Sequence, residues 1–251
     1  MQRDDGRGVS TVLATVLLVA IVLGGVTAIT AVSTDALSDQ HGAITGETAR
    51  GDLGHIAQAV ETVAYTERDR TASTIATHGG ALSVVQSGRA IVEVGSDGSY
   101  RTVLNTSLGG VRADRVDHSV VYQSGAVFGR HDGSTSITRA PPVSVVRENA
   151  TAVTLPLFSV EGDGTLRNEA VVGATGRAVS PDRVAVPADE TVRVTVQSEY
   201  ADAWARSFER AVPDAVGTVR ADGDHVTVLL DSDSAPIYLH ATVYDITVSN
   251  G

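Results

Sequence analysis

Neither cysteine nor lysine occurs among the 251 residues, and only 4% are aromatic. Without cysteine there are no disulfide staples and no thiolate metal sites, so ordinary core burial has to hold the fold together. Without lysine, arginine carries all 19 basic charges against 30 acidic ones, for a net charge of −11. A surface of that sign repels phosphate backbones, which argues against nucleic acid as a partner. The aspartate-rich composition suits a halophilic protein: the Debye length falls to about 3 Å at 1 M salt, and self-repulsion is then screened. Codon bias in a GC-rich genome favours arginine over lysine as well, and both readings stand. With 42% hydrophobic residues there is material for one sizeable domain, or for one domain plus a stalk.

Charge is also missing over Gly8–Thr34. Within that run Val9–Val32 holds 24 residues, 13 of them Val, Leu or Ile. As a helix it is about 36 Å long, against a hydrocarbon core of about 30 Å. Each aliphatic side chain contributes roughly −0.3 to −0.6 kcal/mol towards insertion. The segment 9–34 therefore reads as a transmembrane helix, longer than the apolar core of a secretory signal. Arg3 and Arg7 precede it, so the expected topology is single-pass in the cell membrane, with the N-terminus inside and the rest extracellular. Membrane lipid is then a partner. Ala20, Gly24 and Ala28 recur at four-residue spacing, a row of small residues that lets two helices pack closely.

Arg7-Gly8-Val9-Ser10-Thr11-Val12-Leu13-Ala14-Thr15-Val16-Leu17-Leu18 resembles the class III signal peptide of archaeal type IV pilins and related flagellin-like proteins. The resemblance implies cleavage between Gly8 and Val9 by a prepilin peptidase, with the helix retained as anchor and filament core. A small residue before the scissile bond lets the peptidase reach the backbone. Many such pilins have Ser-Pro where this chain has Ser10-Thr11. Several further stretches are similar to haloarchaeal secreted proteins that carry pilin-like N-termini and are mostly of unknown function. They are Val120–Gly125, Pro141-Pro142, Leu155-Pro156-Leu157 and Gln197–Tyr200 with Trp204. That likeness implies an architecture and no task.

Beyond Asp35 the pattern reads as helix to about Thr77, weakened by Gly42, Gly46, Gly51 and Gly54. Leu53, Ile56, Val60 and Val63 recur at helical spacing and form a stripe to lie against a head domain. The apolar period then becomes two. Ser87-Gly88 is expected to turn a hairpin between Ala81–Gln86 and Arg89–Gly95. Later turn signals are Asp97-Gly98, Ser124-Gly125, Asp132-Gly133, Asp163-Gly164 and Asp222-Gly223. Tyr200, Trp204 and Phe208 lie at i, i+4, i+8 on one helix, capped by Ser198 and stopped by Pro213, and are expected to pack on a sheet. The expected fold class is α+β: a long N-terminal transmembrane and stalk helix, then an antiparallel, sandwich-like β-rich head with one short packed helix. The expected division is leader 1–8, transmembrane helix 9–34, helical stalk 35–79 and head 80–251.

Chemistry is sparse. Asn105-Thr106-Ser107 and Asn149-Ala150-Thr151 are N-glycosylation acceptors, expected at loops. A hairpin centred on Ser232-Asp233 would set His225 opposite His240, but two ligands do not make a zinc site. Asp222/Asp224 and Asp231/Asp233 lack the spacing of a calcium loop. No G-x-S-x-G, P-loop or Rossmann glycine pattern occurs. The expectation is a protein that is not an enzyme and has no cofactor or metal: a pilin-like surface subunit, with a prepilin peptidase and other pilin-like subunits as partners. The alternative is a monomeric, membrane-anchored binding or adhesion module.

Overall fold

The computed structural model describes residues 47–62, 70–76, 81–96, 98–114, 118–162, 164–166, 169–175, 184–231 and 236–250. All of them fall in one unit, Gly46–Gly251. Helix α1 spans residues 47–62 and α2 spans Ala201–Ala211. Everything else regular is strand, in three sheets.

The first sheet runs β1 (Arg70–Ala76), β12 (Glu169–Thr175), β17 (Ile237–Asn250), β10 (Thr151–Gly162), β9 (Ser144–Arg147), with β13 (Val184–Val186) also on β17. The second runs β11 (Thr165–Leu166), β2 (Leu82–Val85), β5 (Gly110–Asp114), β6 (His118–Gln123), β7 (Ala126–His131), β8 (Ser134–Arg139). The third runs β15 (Gly217–Asp222), β16 (His225–Asp231), β14 (Thr191–Gln197), β3 (Arg89–Ser96), β4 (Ser99–Ser107).

Period two decides what each sheet buries. In the third sheet Val192, Val194 and Val196 face Val94, Val92 and Ala90 on one side and Leu230, Val228 and Val226 on the other. These nine side chains form a β-branched-rich inner ladder, and α2 lays Trp204 and Phe208 into the same core. At β6 and β7 the second sheet is buried on both faces. Val121, Ala126 and Phe128 enter this first core, while Val120, Tyr122 and Val127 enter a second one with Leu53, Ile56 and Val60 of α1. Hence Val120–Tyr122 in β6 and Ala126–Phe128 in β7 are consecutive apolar residues rather than alternating ones.

The pair β10–β17 belongs to both cores. It is parallel, in register from Thr151↔Ile237 to Gly162↔Val248. Val153, Leu155, Leu157 and Ile237, Leu239, Ala241, Val243 face the first core. Phe158 and Val160, with Ile246 and Val248, face the second from the opposite side, and Tyr244 packs against it. The switch falls at the same rung in both strands, Leu157↔Val243 followed by Phe158↔Tyr244, and the last two rings stack at 5.4 Å. Beyond the end of β9, the free edge of β10 is satisfied piecemeal. Pro156 has no N–H to place, the Phe158 N–H donates to Ser124 Oγ (3.0 Å), and the Val160 N–H donates to the Leu108 carbonyl (2.8 Å).

Several sequence expectations are corrected here. Among the described residues the fold is mostly β with two helices, not α+β with a long N-terminal helix, and the longest pairing there is parallel. Leu53, Ile56 and Val60 of α1 pack into the second core as the stripe predicts, but the end of the expected helix is strand β1. Among the described residues no helix is long and apolar enough to cross a membrane. The described part of α1, residues 47–62, carries Glu47, Arg50, Asp52, His55 and Glu61. The single-pass membrane anchor with an extracellular head is therefore not supported. The leader 1–8 and the segment 9–34 lie outside the described residues. Ser87-Gly88 turns no hairpin: β2 pairs with β5 and β11, β3 with β14 and β4. Gly88, at φ 91°, instead passes the chain between two sheets, where a Cβ would sit 2.5 Å from Gln123 Nε2. Gln123 seals this corner from the buried side. Its Nε2 donates to the Ser87 carbonyl (3.0 Å), and its Oε1 accepts from Ser198 Oγ (2.7 Å) and Trp204 Nε1 (3.0 Å).

Truncation at the switch should be costly. Phe158 is fully buried, so Phe158→Ala is expected to lower the unfolding free energy by about 3–5 kcal/mol in urea titrations. A loss below about 1 kcal/mol would show that the switch carries little.

Candidate functional site

The alternation that fills the first core leaves the other face of the third sheet to polar side chains. Arg193 on β14 stands between Glu93 on β3 and Leu229 on β16. Its Nε donates to Glu93 Oε2 at 2.8 Å, and its guanidinium carbon lies 3.9 Å from the centre of the Tyr100 ring. The bond to Glu93 is the main reason that the Arg193 pKa is raised above its ordinary value.

Tyr100 reaches this face because β4 is bulged. The register shifts between Val92 and Glu93, so Leu104 lies opposite Val92 but Thr102 lies opposite Glu93 and Tyr100 opposite Gly95. One extra residue thus changes which face the rest of the strand presents. Leu104 is buried in the first core, while Tyr100 lies beside Arg193.

At the other end of the face, Gly223 (φ 59°) turns β15 into β16 and pairs Asp222 with His225. Within that turn Asp224 is gripped from two sides. Gln197 Nε2 donates to its Oδ2 at 3.1 Å, and its Oδ1 lies 2.6 Å from His225 Nδ1. These contacts, Gln197 foremost, hold the Asp224 carboxyl below its ordinary pKa. Tyr100, Arg193 and Glu93 on one side, and Arg220, Asp222 and His225 on the other, line an open recess of about 510 Å³ with Thr195, Thr227 and Leu229 between them.

Of the residues singled out from sequence, Asp222 and His225 line this recess, and the others lie elsewhere. Gly8, Val9, Ala20, Gly24 and Ala28 are outside the described residues. Asn149 is exposed at the bend between β9 and β10, as expected. Asn105 is exposed but within the edge strand β4, not in a loop. The facing of His225 and His240 is corrected: β16 pairs with β14 and β15, and His225 opposes Gln197 and Asp222. His240 opposes Thr154 on β10 instead. Tyr200, Trp204 and Phe208 are core packing, with Phe128 stacked on Tyr200 and edge-on to Trp204. Among the described residues no group of three or more His, Asp or Glu could hold a metal ion.

Fold and site together define a mostly-β protein of three sheets with a charged recess on one outer sheet face. The chain belongs to DUF7289, a family of unknown function, whose profile matches residues 7–249. No curated protein and no solved structure matches it.

The grip on Asp224 is measurable by NMR titration of its carboxyl. The midpoint should lie below the ordinary 3.8 and should move up in Gln197→Ala. An unchanged midpoint in that variant would contradict the ranking of the two contacts.

Proposed function

We propose that this chain is a non-catalytic recognition module that binds its partner at the outer face of the third sheet. The observation that carries the reading is the braced recess. Arg193 is fixed by a charge-assisted bond to Glu93 and by the Tyr100 ring, so the polar groups beside it are ordered before any ligand arrives. Preorganisation of that kind lowers the entropic cost of binding. The test is retention of the full chain on glycan and peptide arrays, beside Arg220→Glu. A ligand class held by the parent and lost in the variant supports the reading; no retention, or equal retention by both, contradicts it.

A second reading follows from the N-terminal motif: a pilin-like subunit, cut between Gly8 and Val9 by a prepilin peptidase. It would associate with other pilin-like subunits through the Ala20, Gly24, Ala28 row. The family match begins at residue 7, so the motif lies within the shared length. Mass spectrometry of the N-terminal peptide of the protein taken from its cells decides it. A peptide beginning at Val9 is expected, and one that still carries the leader would contradict cleavage.

A further inference from the structure

The recess has a chemistry that narrows its ligand, and this step rests on the recognition reading above. Four of the polar groups there are already matched, Arg193 with Glu93 and His225 with Asp224. The other two, Arg220 and Asp222, are exposed and form no salt bridge among the described residues. They stand two residues apart on β15, opposite Thr227 and His225. Guanidinium donors and carboxylate acceptors are thus offered side by side, with the hydroxyls of Thr195 and Thr227 across the floor and Leu229 as an apolar patch.

Each simpler ligand class meets an obstacle here. An anion would have to approach Asp222, Asp224 and Glu93 on a protein of net charge −11. A cation would meet Arg220 and Arg193 in the same space. An apolar molecule would strip water from ionised groups and return no hydrogen bonds. What fits is a neutral group that donates and accepts from adjacent atoms. A pair of neighbouring hydroxyls does this, one accepting from the guanidinium while the other donates to the carboxylate. The ring that bears them offers C–H surface to Leu229. The open recess, of about 510 Å³, has room for a sugar ring. We infer that the recess takes a neutral saccharide, held by Arg220 and Asp222 through vicinal hydroxyls.

The test is saturation-transfer NMR on the full chain. The probes are D-glucose, D-galactose, D-mannose, maltose, lactose and cellobiose, with D-glucuronate and D-glucosamine as charged counterparts. At least one neutral sugar should receive saturation and should weaken about tenfold or more in both Arg220→Gln and Asp222→Asn. Both side chains are exposed, and near-UV circular dichroism of the variants confirms that the fold is kept. No transfer to any neutral sugar, or transfer that neither variant reduces, overturns the inference. A clear preference for glucuronate or glucosamine that the same variants abolish also overturns it, while leaving recognition at this face standing. The recognition reading itself falls on the array result, which names no ligand class in advance.

Discussion

The parallel contact of β10 with β17 is the constraint on which the other elements depend. A strand normally commits one face to a core and the other to solvent, so its apolar residues keep one phase. These two strands change phase in mid-course, at Leu157↔Val243 and Phe158↔Tyr244. The sheet they form therefore closes one core at one end and another core, on its opposite face, at the other end. A slip of one residue in their pairing would bring the switch in one strand a rung out of step with its partner. Phe158 and Tyr244 would lose their stacking, and an apolar side chain would turn towards a polar neighbour.

The layers follow from that. The second sheet lies between the cores and is buried on both faces at β6 and β7, α1 closes the second core, and α2 with the third sheet closes the first. Because the third sheet has a core on only one side, its other face is released from packing. That face is where ionised residues gather on strands that are otherwise valine-rich. The bulge in β4 adds Tyr100 to them, and the recess is the by-product of a sheet that packs on one side only.

Much of the third sheet was legible. Alternation in Val192–Gln197 and Val226–Asp231, and the turn at Gly223, announce strands and their inward face. The aromatic spacing of Tyr200, Trp204 and Phe208 announces α2 and its burial. The pairing of β10 with β17 was not legible as a pairing, since the partners are far apart in the chain, although each carries its phase switch in plain view. Ser87-Gly88 misleads because a glycine with positive φ serves a corner between sheets as well as a hairpin. Polar residues at 70–76 gave no strand signal, because β1 is an edge strand whose order comes from its partner β12. The recess could not be read from spacing, since five strands and a bulge assemble it. Only the outward phase of each strand, with Arg, Glu, Asp and His where Thr or Ser would suffice, hints at it. The uncharged run 9–34 and its leader were the loudest signal in the sequence, and they lie outside the described residues.

Native-state hydrogen exchange of the full chain tests the central claim, that β10 and β17 bind two cores into one cooperative unit. The account predicts that the amides of Leu155, Leu157, Leu239, Val243 and Ile246 exchange last and share one opening free energy, common to both cores. Separate opening energies for the two ends of these strands, with one core exchanging while the other stays protected, would contradict it.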